Sequence, residues 1–133
     1  MDEESFELIK GVLRDEPVVA AYLYGSVARG LEGPGSDVDI GLLLEEGVDD
    51  PRIEARVSVR IEEALGLDRM VEARTLNDKS LVFIHQVLKD GVVVYSRDDK
   101  KRVGFENLKL RMYFDFKPCL KLYDKSRYVR LVS

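Results

Sequence analysis

A chain of 133 residues suits one hydrophobic core, and 45% apolar with 35% charged residues excludes a disordered or fibrous protein. The net charge of −4 argues against a surface built to track nucleic-acid phosphates, although Lys and Arg gather after Lys100. One cysteine, Cys119, excludes an internal disulfide and a multi-cysteine zinc site, and reads as a small half-buried apolar residue. No apolar run approaches the ~20 residues of a membrane span, and the acidic start MDEESF does not resemble a secretory signal, so a cytoplasmic location is the expectation.

From Glu3 to Arg14, Phe6, Ile9, Val12 and Leu13 fall at helical spacing, which predicts a first helix ended by Asp15, Glu16 and Pro17. Val18 to Tyr24 (VVAAYLY) is an apolar run suited to a buried strand. The loop RGLEGPGS must turn, since glycine and proline crowd it, and Val38 to Glu46 reads as the next strand. Asp50-Pro51 predicts a helix start, with Asp as N-cap and Ile53, Val57, Ile61 and Ala64/Leu65 forming the apolar face up to Gly66. Arg69 to Leu76 reads as a third strand. Asn77 or Ser80 caps a helix through Lys89, with Leu81, Ile84 and Leu88 inward, and Val92 to Ser96 reads as a short strand. Two helical pieces follow, around Arg102 to Phe114 and Leu120 to Leu131, separated by Pro118. The order predicts one α/β unit over 1–133, a small mixed sheet flanked by helices, with a core of about 1–98 and a helical extension of about 99–133.

The stretch YLYGSVARGLEGPGSDVDIGLLLEE carries the chemistry. Residues i and i+2 of a strand share a face, so Asp37 and Asp39 project together while Val38 and Ile40 point into the core. Two carboxylates so close repel unless a proton or a cation relieves them, and paired hard oxygen donors are what Mg²⁺ takes. Gly25 lets backbone approach a bulky anion, Ser26 offers a hydroxyl and an N–H, and Arg29 is the nearest cation for phosphate oxygens. An isolated Asp-x-Asp is usually a turn or a cap, and a lone Gly-Ser a loop. Joined across ten residues, each against an apolar strand, they predict a nucleoside triphosphate site with Mg²⁺.

Gly-Ser, ten residues, then Asp-x-Asp resembles the signature of the nucleotidyltransferase superfamily typified by DNA polymerase beta and kanamycin nucleotidyltransferase. GSVARG with SDVDI, then DGVVVYSRD and MYFDF, is similar over nearly the whole chain to the minimal nucleotidyltransferase (MNT) antitoxins encoded beside HEPN-domain toxins. The resemblance implies a polymerase-beta palm-like fold and two Mg²⁺ ions held by Asp37, Asp39 and a third acid. It implies ATP as substrate, with Gly25, Ser26, Arg29 and Ser36 on the nucleotide side. Family members carry the third acid as aspartate on a strand after the second helix. Here MVEARTL places Glu72 there, one methylene longer, and Asp68 in the turn GLDR is a poorer candidate. Without a metal role, Glu72 would simply pair with Arg74 on the same face.

The activity implied is transfer of AMP from ATP to a hydroxyl, a tyrosine of a HEPN ribonuclease toxin. Two alternatives stand beside it: nucleotidyl transfer to a small molecule, for which the chain leaves little room for an acceptor domain, and a non-catalytic antitoxin that occludes the toxin. His85 reads as a structural boundary residue. Tyr113, Phe114 and Phe116 with Asp115 read as core and partner-contact residues.

Overall fold

The computed structural model describes residues 1–25, 37–67 and 69–132, with side-chain surroundings through Cys119. Helix α1 (Glu3–Arg14) starts at Asp2, whose carboxylate accepts from the Ser5 N–H at 2.8 Å. Glu3 and Glu4 in its first turn and Arg14 in its last suit the helix dipole. Strand β1 (Val18–Tyr24) is buried over all but its last residue, as its unbroken apolar run requires. Strand β2 (Val38–Leu44), helix α2 (Ile53–Ala64), strand β3 (Val71–Thr75), helix α3 (Leu81–Asp90), strand β4 (Val92–Ser96) and helix α4 (Asp99–Val132) follow.

The strands form one mixed sheet in the order β3-β2-β1-β4. β1 runs antiparallel to β2 and β4, and β2 runs parallel to β3. Helices α1 and α2 cover one face, where Ile9, Leu13, Ile53, Val57 and Ile61 meet Val38, Ile40 and Leu42 in the larger core cluster. The opposite face is covered over β1 by α3 and α4, with Ile84 and Val87 packed on Ala20, Tyr22 and Leu43. Val71, Ala73 and Thr75 of β3 are buried, whereas Glu72 and Arg74 on its other face are exposed. The alternation leaves an open shelf over β3, and this shelf places the candidate site. The small mixed sheet with flanking helices is the architecture expected from the sequence.

Three local expectations change. Helix α2 begins at Ile53, not at Pro51: Asp50 caps a preceding turn by accepting from the Arg52 N–H at 3.0 Å, and its other oxygen pairs with Arg56 at 2.7 Å. Pro118 lies inside α4 and does not divide it. An interior proline removes one helical hydrogen bond and disfavours helical backbone just before it, and α4 nonetheless continues through Pro118. Cys119 is exposed instead of half-buried, and Phe114 and Phe116, at 58% and 46% exposed, do not join the core. Tyr113 is half-buried and stacks on His85 at 3.7 Å between ring centroids, so His85 is a packing residue between α3 and α4.

Candidate functional site

Alternation along β2 decides where its acids go. Val38 and Ile40 are fully buried on the α1/α2 side, so Asp39 faces the open shelf, half-buried, with Asp37 exposed just before the strand. Asp39 is the register partner of Tyr24 on β1 and of Glu72 on β3. Tyr24, Asp39 and Glu72 therefore form a row across three neighbouring strands. Asp39 and Glu72 thus meet in register at one end of the sheet, and Asp37 is close enough to influence Asp39 electrostatically. Ser26, Arg29, Ser36 and Asp68 lie outside the described residues.

Gly25 closes on this row. Its φ is +78°, and a Cβ built there would stand 2.7 Å from Asp39 Oδ2. The turn backbone therefore packs directly against the Asp39 carboxylate, and only glycine fits without displacing it. Partial burial raises the Asp39 pKa above its ordinary value, and the nearby charges of Glu72 and Asp37 add to the rise. Burial and the Asp39 charge push the Tyr24 hydroxyl up to about 12. Negative charge is thus concentrated where solvent screening is reduced, an arrangement found where a cation or a proton is to be bound.

Glu72 behaves differently. Arg74, two residues along the same strand, donates from Nε to Glu72 Oε1 at 2.8 Å and from Nη2 to the same oxygen. The pair stands on the shelf with both side chains about half exposed. Among the described residues no three acidic, histidine or cysteine side chains converge closely enough to hold a metal ion, and Glu72 is paired with Arg74. The donor types nevertheless suit Mg²⁺: Asp39 and Glu72 are hard oxygen donors in register on adjacent strands, with a third carboxylate, Asp37, close enough to Asp39 to raise its pKa.

Two concavities flank the row. A groove of about 420 Å³ on the β3 side is lined by Glu54, Ser58, Glu72, Arg74 and Lys79. A smaller one of about 180 Å³ on the β1 side is lined by Tyr24, Gly25, Phe83, Gln86 and Asp90. Tyr24 and Phe83 meet edge to face there at 5.8 Å. Sequence reasoning did not single out Tyr24, Glu54 or Lys79. Strand parity could have found Tyr24, since it precedes Gly25 on the face of Asp39. Glu54 and Lys79 reach the site only through tertiary packing of α2 and of the turn after β3.

A mixed sheet carrying an acid row beside a glycine turn defines a nucleotidyltransferase-type fold. Residues 7–100 match the family described as "Polymerase beta, Nucleotidyltransferase", and the chain belongs to that family. Solved structures share its fold. One is a toxin–antitoxin crystallised with AMP-PNP, at 22% identity and a TM-score of 0.74, covering 96% of this chain and 98% of that one. Another is the toxin–antitoxin MntA–HepT, at 19% identity and a TM-score of 0.72, covering 99% and 100%. A third is a tri-AMPylated HEPN toxin of Shewanella oneidensis in complex with MNT antitoxin, at 20% identity and a TM-score of 0.72, covering 100% of both chains. No curated protein sequence matches the chain.

Proposed function

We propose that this protein is a Mg²⁺-dependent nucleotidyltransferase that moves AMP from ATP to a hydroxyl of a partner protein, a tyrosine of a HEPN-type toxin, and thereby silences it. The observation that carries the reading is the row of acids on adjacent strands, with Gly25 backbone pressed against Asp39. Two fold neighbours support the reading: one is described as a tri-AMPylated HEPN toxin with MNT antitoxin, which suggests the acceptor, and another with AMP-PNP, which suggests an adenine nucleotide as donor.

In this reading Asp37 and Asp39 hold the metal ions, with Glu72 joining as third ligand. Bound Mg²⁺ supplies charge neutralisation for the triphosphate and for the crowded carboxylates. Gly25 and Ser26 seat the phosphates through backbone approach and hydrogen-bond donors. Glu72 faces the β3-side groove, where it orients the acceptor hydroxyl and draws its proton. The acceptor oxygen forms a bond to the α-phosphorus, the bond from that phosphorus to the bridging oxygen breaks, and pyrophosphate leaves.

The test uses labelled ATP, Mg²⁺ and the partner toxin with wild-type protein or with Asp39→Asn. Label should appear on the partner with wild type and fall about a hundredfold or more with the variant, as loss of transition-state charge stabilisation implies. Normal turnover by Asp39→Asn would remove the metal-holding role. A tight complex with no label in either case would establish occlusion instead.

A further inference from the structure

The acid row has a built-in counter-charge. Asp39 and Glu72 stand side by side with the charge of Asp37 nearby, and Arg74 answers Glu72 through two N–H groups on a single oxygen. Lys79, the other cation of the same groove, is engaged elsewhere, at 3.4 Å from Glu54 and 3.3 Å from Asp78. Arg74 also lies close enough to Asp39 and Tyr24 to exchange electrostatic influence with both.

We infer that Arg74 is a positioning residue for metal loading: it holds Glu72 in an ion pair along β3, and the third acid joins Asp37 and Asp39 only when a divalent cation displaces the guanidinium. The inference rests on the metal-dependent reading proposed above. Both partners of the pair are about half exposed, and exposed pairs are weak, so a divalent cation has little to overcome. The extra methylene of Glu72 relative to aspartate gives its carboxylate two places to go: back along the strand to Arg74, or across to the neighbouring strand that bears Asp39. Arg74 therefore competes with the metal twice, by occupying Glu72 and by adding positive charge to the shelf.

Direct binding of Mn²⁺ alone to the nucleotide-free full chain, read as loss of the free-Mn²⁺ paramagnetic resonance signal, tests this without any turnover. Arg74→Gln should bind Mn²⁺ about fivefold more tightly than wild type, and Arg74→Lys, which keeps the charge, should stay within about twofold. In a Glu72→Gln background the Arg74→Gln gain should shrink to less than about twofold, because the carboxylate charge that Arg74 holds is gone. Unchanged or weaker binding by Arg74→Gln would overturn the inference, as would an undiminished gain in the Glu72→Gln background. Asp39→Asn separates the two readings: if it binds Mn²⁺ like wild type, the metal site itself fails. If it loses Mn²⁺ while Arg74→Gln is silent, only the role of Arg74 fails.

Discussion

A methyl group at position 25 would stand 2.7 Å from Asp39 Oδ2 and would have to adopt φ +78°. The left-handed backbone costs a non-glycine residue about 1–2 kcal/mol, and the contact adds a choice between moving the turn and moving the carboxylate. Gly25→Ala should therefore lower stability by roughly that amount in urea denaturation and weaken Mg²⁺-dependent nucleotide binding at least about tenfold. Nucleotide binding at wild-type strength, measured by calorimetry, would show that the close approach has no part in the site. At this scale the strand period of two was enough to aim Asp39 away from the core and to set Glu72 beside Arg74. The closeness of Gly25 to Asp39 was not legible, because it depends on the antiparallel register that sets the end of β1 opposite Asp39. Tyr24 takes its place in the row through the same register, opposite Asp39.

Among the elements, β3 shows how an edge strand can bear a site and stay closed to other strands. Its outward N–H groups are taken one after another by side chains of α2: Val71 donates to Glu62 Oε1, Ala73 to Ser58 Oγ and Thr75 to Glu54 Oε2, at 2.8, 2.9 and 2.8 Å. Glu54, Ser58 and Glu62 recur every four residues, so one helix face matches the two-residue step of outward amides. Such capping blocks pairing with another chain while leaving Glu72 and Arg74 on the open shelf. Ser58→Ala would strand the buried Ala73 N–H, at a cost of about 1–3 kcal/mol. Hydrogen exchange at Ala73 should accelerate accordingly, and unchanged protection would mean that the seal contributes nothing. The strand and helix order was readable from periodicity, and α1, β1 and β4 match to the residue. Pairing between α2 and β3 was not, since Glu54 and Glu62 look like ordinary solvent-facing acids until the helix is docked. The start of α2 also shifted, because Asp50 serves a turn and Arg56 at once.

Across the whole molecule, charge is sorted to opposite ends of the sheet. β1 runs roughly 20 Å from Val18 to the site at Tyr24, and just before it Glu16, 4% exposed, receives Arg56 and Arg60. Nearby Arg97 donates to the carbonyls of Arg14 and Glu16 at 2.7 and 2.9 Å and pairs with Glu45 at 3.0 Å. One end is thus a satisfied ionic clamp joining α1, α2, β2 and β4, whereas the other holds like charges together at the expense of stability, as functional sites do. The two ends predict opposite responses. Hydrogen bonds from Arg56, and then from Arg60, hold the Glu16 pKa below its ordinary value against the opposing effect of burial. Its stabilisation is therefore fully present above the unfolded-state value of about 4.3 and is lost as pH falls through the lower folded-state value. Glu16→Gln should cost about 2 kcal/mol at neutral pH and leave a shallower loss of stability below about pH 4.3, because charge-assisted hydrogen bonds are replaced by neutral ones. Asp39→Asn, which removes charge from the crowded end, should leave the metal-free protein at least as stable as wild type at neutral pH. Urea denaturation of both variants at pH 7 and pH 4 checks the pair: if Asp39→Asn destabilises as much as Glu16→Gln, the acid row is part of the scaffold and not a site held against repulsion.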